Sequence, residues 1–108
     1  MDAHCIFCKI INKQIPSDIV AQNDTVIVIK DIAPKAPVHY LIIPKKHYAD
    51  IGQLPHDEKS LAADLLLMAK KLSEQHPSFR LVSNNGKAAG QEVSHIHIHF
   101  LAGKSMTF

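Results

Sequence analysis

The 108-residue chain has no tryptophan, and only 6% of it is aromatic, so any core must be built mostly from aliphatic side chains. Cysteine is confined to Cys5 and Cys8. Two thiols so close in sequence cannot staple distant parts of a fold, which excludes a disulfide scaffold. The formal net charge is only +2, and the lysines include the short pairs Lys45-Lys46 and Lys70-Lys71 rather than a basic stripe. Nucleic acid is therefore not an expected partner. No stretch approaches the length of a membrane span, and no apolar run follows a basic start. The expectation is a soluble, cytoplasmic protein with no membrane association. Repeats, low-complexity tracts and internal linkers are also missing, and 46% apolar content suffices for one compact domain over residues 1–108.

What the chain does have is concentrated in Ser94-His95-Ile96-His97-Ile98-His99-Phe100-Leu101. Histidine alternates with Ile96, Ile98 and Phe100, and a period of two is the mark of a β-strand. The apolar set then faces the core, and the three imidazoles project from the other side of the sheet toward solvent. Neutral imidazole is a nucleophile, a general base or a metal ligand near physiological pH. His-x-His on a strand is also how zinc ligands are presented, so the triad alone leaves the chemistry open. The stretch from Ser83 through Asn84, Asn85, Gly86, Gly90, Gln91 and Glu92 to Val93 offers mostly amide side chains and glycine backbone. Such groups suit an oxyanion or a phosphate better than a metal.

From the N-terminus, Cys5 to Asn12 reads as a short helical segment with Ile6, Phe7, Ile10 and Ile11 available to pack inward, and Pro16 prevents its continuation. Ile19-Val20-Ala21 and Thr25 to Ile29 form a hairpin around Gln22-Asn23-Asp24. Pro34 and Pro37 mark a loop, and Val38 to Ile43 is a third strand stopped by Pro44. On it His39, Leu41 and Ile43 share a face; a lone histidine there is more often structural than functional. From about Asp57 to Gln75 the period becomes helical, with Leu61, Leu65, Met68 and Leu72 as the apolar stripe supported by Ala62, Leu66 and Ala69. Phe79 to Ser83 is the fourth strand and the triad strand the fifth. The fold class is α+β: a five-stranded antiparallel meander with one long and one short helix packed on one face. Its open edge and the long apolar stripe favour a homodimer.

The run His95 to Leu101 matches the His-φ-His-φ-His-φ-φ signature of the histidine triad (HIT) superfamily. Ile6-Phe7-Cys8-Lys9-Ile10-Ile11, Ile15-Pro16-Ser17, Asp31 to His39, Ile43 to His47 and Asn84 to Val93 are similar to its Hint branch, in its bacterial form. The resemblance covers nearly the whole chain. It implies a purine nucleoside phosphoramidate hydrolase that releases AMP through a nucleotidyl-histidine, needs no cofactor for catalysis, and pairs its sheet across a two-fold axis into ten strands. It also implies that His97 is the nucleophile and that His99 donates to the phosphate, with His39 and His95 completing the catalytic set. Asn84, Gly90, Gln91, Glu92 and Val93 would surround the phosphate and leaving group. Asp31 would accept the ribose hydroxyls, with Ile32 and Ile19 lining the base pocket. Glu92 departs from the serine of animal Hint proteins, although bacterial relatives often carry glutamate there.

Some HIT relatives bind structural zinc through a Cys-x-x-Cys and two later histidines. The matching positions are Cys5, Cys8, His47 and His95, two thiolates and two imidazoles that would satisfy tetrahedral zinc. The plain alternative is a pair of small buried thiols. Two other functions compete with the hydrolase: a nucleotide-binding interaction protein with vestigial hydrolysis, and a zinc hydrolase using the triad as ligands.

Overall fold

The computed structural model describes residues 4–106. Helix α1 (Ile6–Ile11) leads into strands β1 (Ile19–Gln22), β2 (Val26–Lys30) and β3 (Val38–Pro44), then helix α2 (Lys59–Leu72) and strands β4 (Phe79–Val82) and β5 (Ile98–Ala102). Single 3-10 turns lie at Ile51–Gln53 and Lys87–Ala89. Cys5 caps α1, its Sγ accepting the Cys8 N–H at 3.3 Å. Lys13, at φ 63°, turns the chain out of the helix. The β1–β2 hairpin closes on Asn23, whose Oδ1 accepts the N–H groups of Thr25 (3.0 Å) and Val26 (2.9 Å). Asparagine favours such bends because its side chain supplies the acceptor locally.

All strand pairs are antiparallel, in the order β1-β2-β3-β5-β4. The five-stranded antiparallel α+β sheet expected from the sequence is present. Its order departs from a strict meander at one place: β5 enters between β3 and β4, because α2 carries the chain past the vacant position next to β3. The triad strand is therefore central, paired on both sides. Edges belong to β1 and β4.

Both faces of the sheet are covered, not one. Val26, Val28, Ile42, Ile96, Phe100 and Ala102 pack with Leu65, Met68, Ala69 and Leu72 of α2. On the opposite face Ile27, Ile29, Leu41 and Ile43 pack with Cys5, Phe7, Cys8 and Ile10 from α1 and its cap. Strands β2 and β3 thus each feed two cores.

Helix α2 is shorter than the span 57–75 read from the sequence. Glu58 occupies its N-cap position without capping it, because the carboxylate accepts from Tyr48 Oη (2.6 Å) and Lys46 Nζ (2.9 Å) instead. Leu61, Leu65, Met68, Ala69 and Leu72 are buried as expected, whereas Ala62 is exposed and Leu66 is 60% exposed. At the helical angle of about 100° per residue, Leu66 falls roughly 120° from the centre of the stripe, outside the core-facing sector. Ile6 likewise points outward while Phe7 and Ile10 are buried. Among the described residues no helix is long and apolar enough to cross a membrane.

Candidate active site

Carrying the β3–β5 register two residues beyond the pair Ile42↔Ile98 would set Ile96 opposite Pro44, which has no N–H to offer. Ile96 N–H donates instead to the Tyr48 carbonyl (2.9 Å), and residues 95–97 run outside the regular ladder. The period-two reading survives this: Ile96 and Phe100 lie in the α2 core and the histidines occupy the α1 face. The imidazoles do not face solvent, however. His95 is 0% exposed and His97 8%, because α1 covers them.

A buried neutral imidazole has one proton and one lone pair, and the backbone assigns both. His95 Nε2–H donates to the Pro44 carbonyl (2.8 Å). His97 Nδ1–H donates to the His95 carbonyl (2.8 Å), so the lone pair of His97 lies on Nε2. Lys35 N–H donates to His39 Nδ1 (3.0 Å), which puts the His39 proton on Nε2, 2.8 Å from His99 Nδ1 and 3.4 Å from an Asp31 carboxylate oxygen. His99 thus accepts at Nδ1 and keeps its own proton on Nε2. Burial, chiefly, pushes His39, His95 and His99 below the ordinary histidine pKa; neighbouring imidazoles add to this at His95 and His99, while Asp31 opposes it at His39 and His99.

His97 and His99 form part of the wall of a cavity of about 970 Å³, large enough for a nucleotide. Ile6, Phe7 and Ile10 of α1, residues 15–18, residues 29–33, Lys35, Leu41, Asn84, Gly90, Glu92 and Val93 supply the rest. Asp31 sits in this wall, one oxygen accepting Ala33 N–H (2.8 Å), next to Ile32, a residue that is 99% exposed. The loop after β4 is shaped by Gly86 (φ 88°) and Gly90 (φ 91°), conformations that glycine adopts without strain. Gln91 braces it: its Oε1 accepts Gly86 N–H (2.7 Å) and its Nε2 donates to the carbonyls of Ala49 (2.7 Å) and Val93 (2.9 Å). The Gln91 amide is thereby committed to backbone, and the residue is absent from the cavity wall, as is Ile19. His39 and His95 stand behind the wall.

Beneath α1, the ligand atoms of Cys5, Cys8, His47 and His95 lie within 4.8 Å of one another. Cys5 Sγ is 3.3 Å and Cys8 Sγ 3.6 Å from His95 Nδ1, Cys8 Sγ is 3.2 Å from His47 Nδ1, and the two Nδ1 atoms are 3.0 Å apart. Tetrahedral zinc with bonds of about 2.0–2.3 Å needs separations of roughly 3.3–3.8 Å between its ligand atoms. The donor set fits, and the bond to Pro44 leaves the His95 Nδ1 lone pair toward the thiols. Asp31, His39 and His99 also converge within 4.8 Å. There the Lys35 N–H occupies His39 Nδ1, so Nε2 presents a proton to the other two, which makes a relay rather than a ligand set. Since His95 joins the thiols, His99 joins His39 and His97 joins neither cluster, the triad among the described residues is not one metal site.

Sequence reasoning assigned Phe7 to the core alone and gave Lys35 and residues 15–18 no role in the site. Phe7 packs edge-on against His95 and His97, with ring centroids at 5.8 Å and 5.1 Å. Lys35 acts through its backbone, which carries no residue-type signal. The segment 15–18 is irregular and has no periodicity to reveal what it covers.

Comparison with known proteins converges on one family. The HIT domain profile matches residues 12–106. An uncharacterised HIT-like protein of Synechococcus elongatus is 40% identical over an alignment covering 100% of this chain and 97% of the relative. A HIT family hydrolase from Legionella pneumophila superimposes with a TM-score of 0.93 at 43% identity, covering 97% of each chain. A histidine triad nucleotide-binding protein from Candida albicans does so with a TM-score of 0.80 at 33% identity, covering 96% of this chain and 82% of its own.

The pKa directions of His39 and His99 set an acid limit on stability. Each binds fewer protons folded than unfolded below its ordinary value of 6.5, so its contribution is complete above that pH and is lost as pH falls toward the folded pKa. The slope is at most about 1.4 kcal/mol per pH unit for each such histidine. Urea midpoints should be flat from pH 8 to 7 and fall between about 6.5 and 5.5, above the carboxylate range. An unchanged midpoint at pH 5.5 would contradict the neutral assignment.

Proposed function

The chain belongs to the HIT domain family, and on that footing we propose that it is a Hint-type purine nucleoside phosphoramidate hydrolase acting through a nucleotidyl-histidine. The observation that carries this reading is the bond from His97 Nδ1–H to the His95 carbonyl, which leaves Nε2 as an unprotonated nucleophile in a residue of the cavity wall. In the first step His97 Nε2 attacks the α-phosphorus, a P–Nε2 bond forms, and the P–N bond to the amine breaks as that nitrogen takes up a proton from solvent. In the second, water adds to phosphorus and gives one proton back to solvent, the P–Nε2 bond breaks, and AMP leaves with His97 neutral again. Splitting one displacement into two is what covalent catalysis achieves. His99 Nε2–H donates to the phosphate oxygens, supported from behind by His39, and Asn84 and Gly90 also line the cavity. Asp31 accepts from the ribose hydroxyls and Ile32 covers the purine. Glu92 lies on the exposed rim, where it faces the departing amine.

The proposal extends to structural zinc held by Cys5, Cys8, His47 and His95. Its support is the donor set and the lone pair held toward the thiols. The metal would tie α1 to the sheet and supply no catalytic step. It extends also to a homodimer, pairing β4 edges into a ten-stranded sheet: Leu66 and Leu67, 60% and 57% exposed, lie on α2 and Phe79 lies on the β4 edge, apolar surface that association would cover.

Incubated with an adenosine 5′-phosphoramidate bearing a reporter amine, the wild-type protein should release AMP, and His97→Ala should lose several orders of magnitude in rate while still binding AMP. Binding without turnover in the wild type would favour a nucleotide-binding interaction protein instead. Metal analysis after purification without chelator should return about one zinc per chain, and Cys5→Ser should lose both the metal and thermal stability. A metal-free protein whose Cys5→Ser variant melts with wild type would make the thiols packing residues. Sedimentation at micromolar concentration should report twice the 12.0 kDa of one chain, and a clean monomer would defeat the dimer.

A further inference from the structure

A hydrogen bond at Nδ1 pins one atom of the His97 ring but not the plane of the ring, and the terminal torsion of a histidine is broad. The direction of the Nε2 lone pair must therefore be fixed by what packs on the ring. Two rings do so edge-on: His99, with centroids at 5.2 Å and planes at 65°, and Phe7, at 5.1 Å and 74°. Phe7 is buried and touches His95 in the same manner, at 5.8 Å and 84°. It also stands between two residues that are tied to the sheet. Cys5 before it and Cys8 after it both reach His95 Nδ1, and Cys5 Sγ accepts the Cys8 N–H. The contacts close on themselves: the His95 carbonyl holds His97, His97 packs on Phe7, and the cysteines on either side of Phe7 hold the His95 ring.

We propose that Phe7 is a positioning residue for the nucleophile, fixing the plane of the His97 imidazole so that its Nε2 lone pair faces the cavity. A core role alone would be met by any apolar side chain of similar volume, whereas this one needs a ring edge. Displacing a reacting group by a fraction of an ångström or 10–20° is enough to cost a large factor in rate. The kinetic part rests on the hydrolase reading above; the geometric part does not.

The test compares wild type with Phe7→Leu, and with Phe7→Met should the leucine variant fail to fold. Two-bond 1H–15N correlation spectra of the histidines should show His97 as a single Nδ1-protonated form in wild type. In the variant that signal should broaden or split into two exchanging forms. Single-turnover formation of the nucleotidyl-histidine from the reporter phosphoramidate should slow about 10- to 100-fold, while the dissociation constant for AMP, whose cavity Phe7 also lines, should rise by a clearly smaller factor. An unchanged His97 signal would overturn the proposal. So would an equal loss of rate and AMP affinity, since that is the behaviour of a cavity wall alone. If wild type turns over no phosphoramidate, the hydrolase reading fails and the His97 spectrum still decides the role of Phe7.

Discussion

Burial on one covered face of a sheet favours the neutral form of His39, His95 and His99, and a neutral imidazole has a single proton to give and a single lone pair to offer. Everything around these rings follows from how that proton is placed. The carbonyl of Pro44 takes the proton of His95, the carbonyl of His95 takes that of His97, and the amide of Lys35 forces that of His39 toward His99. Backbone groups make the choice in each case, so the site is set by the path of the chain before any ligand arrives. Among the described residues no buried side-chain nitrogen or oxygen lacks a partner. That is the condition under which so polar a cluster can share a face with Ile27, Ile29, Leu41 and Ile43.

The two faces divide the labour. Against α2 the sheet presents a conventional aliphatic and aromatic core in which Phe100 stacks on Phe79 with centroids 4.6 Å apart. Against α1 it presents histidine, thiol and a cavity, covered by a helix of six residues. A helix so short has little intrinsic stability, and its place depends on the cap and on Cys5, Phe7, Cys8 and Ile10 beneath it. Phe7 and Ile10, which help hold α1 down, therefore also line the cavity.

Much of this was legible in the sequence, and the limits have physical causes. Alternation in residues 95–101 gave the faces of the triad correctly, and Pro16 and Pro44 gave breaks, because both signals are local. That the histidines are buried was not legible: covering depends on α1 docking across the sheet, and periodicity says only which side a residue faces. The place of β5 between β3 and β4 escaped for the same reason, since strand order is a long-range property. Leu66 was misassigned because leucine crowds α2 on more than one side, so composition there outruns the core-facing sector. The part Gln91 plays in shaping its loop, through three hydrogen bonds to backbone, was likewise not legible, because those partners lie in the folded path of the chain.

Strand β5 occupies the middle of the sheet although it is made after every other strand. During vectorial synthesis β1, β2 and β3 can pair as they emerge, but β3 then presents an open edge with the apolar side chains of Leu41, Ile42 and Ile43 until β5 is available. Strand β4 has no neighbour at all before that moment, since β5 is its one partner in the sheet. The nascent chain thus carries a sticky, unfinished edge through most of its elongation, a state in which chaperone engagement and intermolecular strand pairing compete with folding. Because the strand that seals the edge is the one bearing His99 and following His97, closure of the sheet and assembly of the imidazole cluster are a single late event.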